Sequence, residues 1–221
     1  MALFPLDEID CVLLDLDGTL LDKYFDDYFW EHLVPEKYAE KFDVTFGEAK
    51  KQLLEKYKAH EGTLNWTDLD FWSRELGLDI PALKEQIKHL IEVHPHVEEF
   101  LGMLKHSGKK IYLVTNAHYK AVEIKFKKTG IGGYFDHVLA SWEVGAAKEN
   151  LAFWEDARKR LGFRNERTAF IDDTVAILRT ARQFGIKYLY LKGKAASRTV
   201  TRKKKESHDF QVVTDFKELM K

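Results

Sequence analysis

The segment DCVLLDLDGT, residues 10–19, is a short apolar run that ends in acids. Residues 10–16 suit a buried strand by their length and by the β-branched Val12 among apolar neighbours. Asp17, Gly18 and Thr19 then form a turn signal. A strand places residues two apart on one face, so Asp15 and Asp17 are expected to point the same way at its carboxyl end.

Beyond Asp22 the texture changes, and up to His94 no stretch reads as a strand. Thr45 and Glu48 have the spacing of a capping box ahead of Leu53, Leu54 and Tyr57. Thr67 is placed to cap a second helix carrying Leu69, Trp72 and Leu76, which Gly77 ends. Pro81 is placed to open a third, with Leu83, Ile87, Leu90 and Ile91 on one face. After His94 strands and helices alternate: a helix over 97–104, a strand over 110–115, a helix through Val122 and Phe126 to Gly130, a strand over 135–141, a helix over 149–161, a strand over 168–172, a helix over 174–184 and a strand over 187–191. Alternation with short connections is the pattern of βαβ units. The expected architecture is therefore α/β, a Rossmann-like parallel sheet with helices on both faces. A helical block, residues 22–94, is inserted after the first strand, and residues 1–21 with 95–221 form the core.

The chain has 221 residues, with 35 Lys and Arg against 36 Asp and Glu. That balance argues against a nucleic-acid or membrane-surface protein, which usually carries a basic excess. The single cysteine, Cys11, excludes an intrachain disulfide and suits a reducing cytoplasm. No Lys or Arg precedes Lys23, unlike a secretory leader, and no apolar run approaches the roughly 20 residues of a membrane helix. The run Arg198–Lys205 is basic and reads as a solvated loop.

In a parallel sheet, ligands lie beyond the carboxyl ends of the strands. Those ends carry Asp15 and Asp17, Thr115 and Asn116, and Asp172 and Asp173, while Lys148 starts a later helix. Up to four carboxylates in one crevice repel one another, and a hard divalent cation such as Mg²⁺ relieves this through oxygen ligands. Lys148 adds positive charge where an anion would lie, and Thr115 can donate to anionic oxygens. A carboxylate can act as a nucleophile and its neighbour as acid and then base. Each piece has a plain alternative: a turn, a helix cap at Asp172 and Asp173, a surface lysine at Lys148. Their order along the chain, each on the same predicted rim, favours the catalytic reading.

DLDGTL (15–20), LVTNA (113–117), Lys148 and FIDDT (170–174) resemble the four motifs of the haloacid dehalogenase (HAD) superfamily of phosphohydrolases. The helical insertion resembles its α-helical cap. The resemblance implies that Asp15 is the nucleophile and Asp17 the general acid and base. It implies that Thr115, Asn116 and Lys148 hold the phosphoryl group. Asp15, the backbone carbonyl of Asp17, and Asp172 or Asp173 would hold Mg²⁺. FDDYFWEHLVPE (25–36), TLNWTDLDFWSRELGLDI (63–80), TNAH (115–118) and FIDDTVAIL (170–178) are similar to the bacterial GMP/IMP 5′-nucleotidase branch. That implies a Mg²⁺-dependent phosphomonoesterase acting on small purine nucleoside monophosphates, cytoplasmic, and a monomer or weak homodimer. Most cap aromatics are expected to be the cap's own core. Tyr28 and Trp30 are the expected exceptions, stacking on a base, and His118 is a candidate substrate contact. The alternatives are a sugar-phosphate or phosphoglycolate phosphatase of the same superfamily, and a non-catalytic binding protein of this fold.

Overall fold

The computed structural model describes residues 4–198 and 209–220; of the basic run, only Arg198 falls among them. Six parallel strands form one sheet in the order β3-β2-β1-β4-β5-β6. They are β1 (Cys11–Leu14), β2 (Lys110–Thr115), β3 (His137–Ala140), β4 (Thr168–Asp172), β5 (Tyr188–Lys192) and β6 (Gln211–Val213). β1 lies in the middle, with Leu14 level with Leu113 on one side and Ile171 on the other. Its side chains alternate: Val12 and Leu14 join the apolar cluster on one face, Cys11 and Leu13 that on the other. Fully buried on both faces, the strand has no room for polar residues, which is why its sequence is continuously apolar.

Between β1 and β2 lie α1 (Tyr24–Tyr28), a π-helical turn (Phe29–Leu33), α2 (Val34–Phe42), α3 (Phe46–His60), α4 (Leu69–Leu76), α5 (Ile80–Gln86) and α6 (Val97–His106). The capping box at Thr45 and Glu48 is formed. The cap of α4 is Asp68 rather than Thr67; its carboxylate accepts from the backbone N–H of Asp70 and Phe71. The helix opened by Pro81 is shorter than its apolar spacing suggests, ending at Gln86 and giving way to a 3₁₀ turn at Lys88–Leu90. The apolar residues of the insertion, Phe25, Phe29, Leu53 and Trp72 among them, are continuous with the cluster formed by Val12, Leu14 and α6.

The chain leaves and re-enters the sheet region through two linkers that lie side by side. Leu21 forms an antiparallel bridge with Val93, and the N–H of His94 donates to the Leu20 carbonyl. The loop after β5 crosses both: the Ala195 carbonyl accepts from the Lys23 N–H and meets the His94 ring at 3.3 Å.

α7 (Tyr119–Thr129) follows β2, α8 (Ser141–Val144) and α9 (Leu151–Leu161) follow β3, and α10 (Val175–Phe184) follows β4. α6 and α7 cover one face of the sheet, α9 and α10 the other. No described helix is long and apolar enough to cross a membrane. β6 was not anticipated, and the strand predicted over 135–141 is confined to His137–Ala140. β1 ends at Leu14, so Asp15, still paired to β4 through its N–H, and Asp17, in the turn beyond, do not share a strand face.

Candidate active site

A cavity of about 520 Å³ opens at the carboxyl ends of β1, β2 and β4. Its floor holds Asp15, Asp17, Thr115, Asn116, Lys148, Asp172 and Asp173, and its other wall comes from the helical insertion. They come from four separate stretches of the chain: the sheet order brings the ends of β1, β2 and β4 together, and the segment between α8 and α9 adds Lys148. Asp15 is positioned by its own backbone, whose N–H donates to the Ile171 carbonyl at 3.1 Å and so continues the β1–β4 pairing one residue past the strand.

Lys148 is 1% exposed. Its ammonium donates to Asp15 Oδ1 at 2.5 Å and to Asp172 Oδ2 at 2.7 Å. Its backbone is fixed as firmly: the N–H donates to Asn116 Oδ1 at 3.0 Å, and the carbonyl accepts from Trp154 Nε1 at 2.8 Å. Asn116 Nδ2 in turn donates to Glu149 Oε2 at 2.9 Å. Asn116 is thus a brace for the Lys148 segment. Thr115 Oγ1 accepts from the Ala117 N–H at 3.0 Å, holding the turn after β2. Asp172 Oδ1 accepts from the Thr174 N–H at 2.7 Å, and Asp173 Oδ1 from the Thr174 hydroxyl at 3.1 Å.

Oxygens of Asp15, Asp172 and Asp173 lie within 4.8 Å of one another, and all three residues are buried. Three carboxylates face one ammonium. When all ionise, the group holds two negative charges in excess, the charge of one divalent cation. Burial pushes Asp15 above the usual carboxylate range and Asp172 up to about 7, with Lys148 opposing in both. The all-oxygen set is that of a hard cation. Asp17 stands outside this trio. Its carboxylate pairs with Lys125 at 2.6 Å, and burial pushes it up to about 6 against that ammonium's pull.

The insertion contributes Trp30, Tyr57, Trp66 and Trp72 to the wall. Trp30 meets Tyr57 edge-on at 5.7 Å and Trp72 at 6.1 Å, and Tyr57 meets Trp72 at 5.1 Å. Trp30 therefore lies where the sequence suggested, but Tyr28 does not: it is absent from the cavity lining and stacks on His32 at 5.4 Å. His118 lines the cavity, 3% exposed, with Nε2 3.6 Å from Asp68 Oδ1. Tyr57, Trp66 and Trp72 were missed as cavity residues, because an aromatic on a cap helix reads first as cap core. Lys125 was missed because a lone lysine in an amphipathic helix reads as solvent-facing.

The family model of the haloacid dehalogenase-like hydrolases matches residues 9–185. The chain is 43% identical over 181 residues to the GMP/IMP nucleotidase YrfG of Escherichia coli, covering 82% of each chain. It is 33% identical over 107 residues to a glyceraldehyde 3-phosphate phosphatase of Methanocaldococcus jannaschii, 48% of this chain and 47% of that one. Among solved structures, a HAD phosphatase from Thermococcus onnurineus superposes with a TM-score of 0.78 at 24% identity, covering 96% of each chain, a likeness of fold.

Proposed function

Because the chain belongs to the haloacid dehalogenase-like hydrolases, we propose that it hydrolyses nucleoside 5′-monophosphates, with GMP and IMP as preferred substrates, through a phosphorylated Asp15. The observation that carries the chemistry is Asp15 held beside Lys148, Asp172 and Asp173 on the floor of a cavity. Asp15 attacks phosphorus in line as the bond to the ribose 5′-oxygen breaks. Asp17 gives its proton to that oxygen, then takes one from the water that attacks the aspartyl-phosphate, which releases phosphate and frees Asp15. Lys148 offsets charge on the transferring oxygens, the main electrostatic demand of phosphoryl transfer. Asp15, Asp173, Asp172 and the Asp17 carbonyl would hold Mg²⁺, whose charge would neutralise the carboxylates and the phosphate.

The aromatic wall supports a substrate with a flat apolar part away from its phosphate, since base–aromatic stacking contributes roughly 1–3 kcal/mol. The identity to the GMP/IMP nucleotidase supports a purine there. The enzyme so read is cytoplasmic and acts on a small-molecule ester. The test is phosphate release with Mg²⁺ across GMP, IMP, AMP, CMP, ribose 5-phosphate, phosphoglycolate and p-nitrophenyl phosphate. GMP and IMP are expected to show the highest kcat/KM, and Asp15→Asn is expected to abolish turnover on all of them. Equal or faster hydrolysis of the sugar phosphate or phosphoglycolate would reject the nucleotide assignment. Persistent activity in Asp15→Asn would reject the covalent route.

A further inference from the structure

Asp17 is one end of a chain of four alternating charges. Its carboxylate pairs with Lys125 of α7 at 2.6 Å, and Lys125 pairs with Asp26 of α1 at 2.7 Å. Asp26 pairs through its other oxygen with Lys84 of α5 at 2.6 Å. Both lysines are 1% exposed. Lys84 ends the chain over the rings of Phe29 and Phe25, 4.2 Å and 4.8 Å from their centres. While Asp17 is ionised, two ammonium groups and two carboxylates sum to zero; when Asp17 carries its proton, the set holds one positive charge in excess.

Stability does not explain such a set. Fully buried lysines are rare, and apolar replacement of a buried ion pair is often neutral or stabilising. What the chain does is join places. Asp26 and Lys84 belong to the helical insertion, Lys125 to a helix on the sheet, and Asp17 to the turn after β1. Lys125 stands between the proposed acid and the insertion. It takes one side of the Asp17 carboxylate, whose side chain keeps 24% exposure on the cavity wall.

We propose that Lys125 is a positioning residue that aims Asp17 at the leaving oxygen, and that the insertion sets its place through Asp26 and Lys84. This rests on the phosphatase reading above. The proton on the leaving oxygen matters only when that oxygen leaves badly. A ribose 5′-oxygen departs as a basic alkoxide and needs the acid; p-nitrophenolate departs as a stable anion and does not. kcat/KM spans the steps up to departure of the leaving group, so the loss of acid aim appears there and depends on the substrate.

The experiment measures kcat/KM for GMP, for ribose 5-phosphate, which has the same leaving oxygen and no base, and for p-nitrophenyl phosphate on each preparation of the wild type, Lys125→Met, the milder Lys125→Gln, and Asp26→Asn. The ratio of any two substrates does not depend on the folded fraction. In Lys125→Met and Lys125→Gln the values for both alkyl esters should fall at least about tenfold further than the aryl phosphate value, part of the 10²–10⁴ that general acid–base catalysis supplies. Asp26→Asn should shift the alkyl-to-aryl ratio the same way, by less. An equal loss on alkyl and aryl esters in the Lys125 variants, complete loss included, or an excess loss on GMP alone, overturns the positioning role. An unchanged alkyl-to-aryl ratio in Asp26→Asn overturns the link to the insertion. A wild-type chain inactive on all three substrates would instead overturn the phosphatase reading, and the proposal with it.

Discussion

Gly18 has φ +89°, and a methyl group placed on it would lie 2.7 Å from Asp173 Oδ2 and 2.9 Å from its Cγ. Two demands meet at this residue. The turn that carries Asp15 and Asp17 needs a left-handed conformation, which costs an L-residue roughly 1–2 kcal/mol. Asp173 also needs the space a side chain would fill. Gly18→Ala should therefore lower Tm by several degrees, and it should weaken Mg²⁺ binding measured by calorimetry, because the displaced group belongs to the carboxylate trio. A lowered Tm with unchanged Mg²⁺ affinity would leave only the backbone demand. At this scale much was legible: acids, a threonine and a lysine at strand ends in a fixed order. Lys125 and Lys84 were not, because nothing in a helix pattern distinguishes a buried lysine from an exposed one until its partners are placed.

At the scale of the element, helical spacing explains why one expected aromatic faces the cavity and another does not: Lys23, Asp26, Asp27, Trp30 and Glu31 form one face, and Tyr28, two residues from Trp30, lies off it, while Phe29–Leu33 is a π-helical turn. The Val34 N–H donates to the Phe29 carbonyl, five residues back, which widens the turn. Trp30 and Glu31, consecutive residues, both reach the cavity wall, while Tyr28 stacks on His32. Trp30→Ala should lower kcat/KM for GMP and IMP about tenfold more than for p-nitrophenyl phosphate, a loss on the scale of one stacking contact. Tyr28→Ala should affect both substrates alike. A uniform loss with lowered Tm in Trp30→Ala would show that ring to be packing only. A π turn has no residue signature, so it could not be read in advance. β6 escaped because three residues hold too little pattern, and the cap of α4 slipped by one because Thr67 and Asp68 are both good caps. The longer strands and helices were legible, because their apolar spacing outlasts the ambiguity of their ends.

At the scale of the molecule, charge and protonation couple to stability. Mutual repulsion among the buried carboxylates of Asp15, Asp172 and Asp173 opposes folding, and a cation that binds only the folded chain offsets it. Mg²⁺ should raise Tm in a concentration-dependent way and EDTA should lower it, a shift that Asp173→Asn diminishes. A Tm indifferent to Mg²⁺ would speak against the trio as a cation site. His94, in the returning linker, is held down to about 4 by burial first and by Lys192 second, against an ordinary 6.5. The folded chain keeps it neutral as pH falls from 6.5 towards 4, while the unfolded chain takes up the proton. Stability should therefore fall across that window, by up to about 3 kcal/mol. In denaturant titrations the advantage of wild type over His94→Gln should shrink between pH 7 and pH 4.5; a constant difference would reject this linkage.

The central place of β1 also has a cost in time. Its partners are Lys110–Leu113 and Thr168–Ile171, so the strand that leaves the ribosome first among the six has nothing to pair with until the insertion has been made, and its β4 side stays open until most of the remaining chain has followed. Non-local pairing of this kind slows folding, and it leaves Cys11–Leu14 an apolar segment without cover in a growing chain. The helical insertion, emerging next and rich in local contacts, is the first part able to collapse. Refolding from denaturant is thus expected to show early helix formation followed by a slower phase in which the sheet closes around β1, and chains cut short before β4 should aggregate.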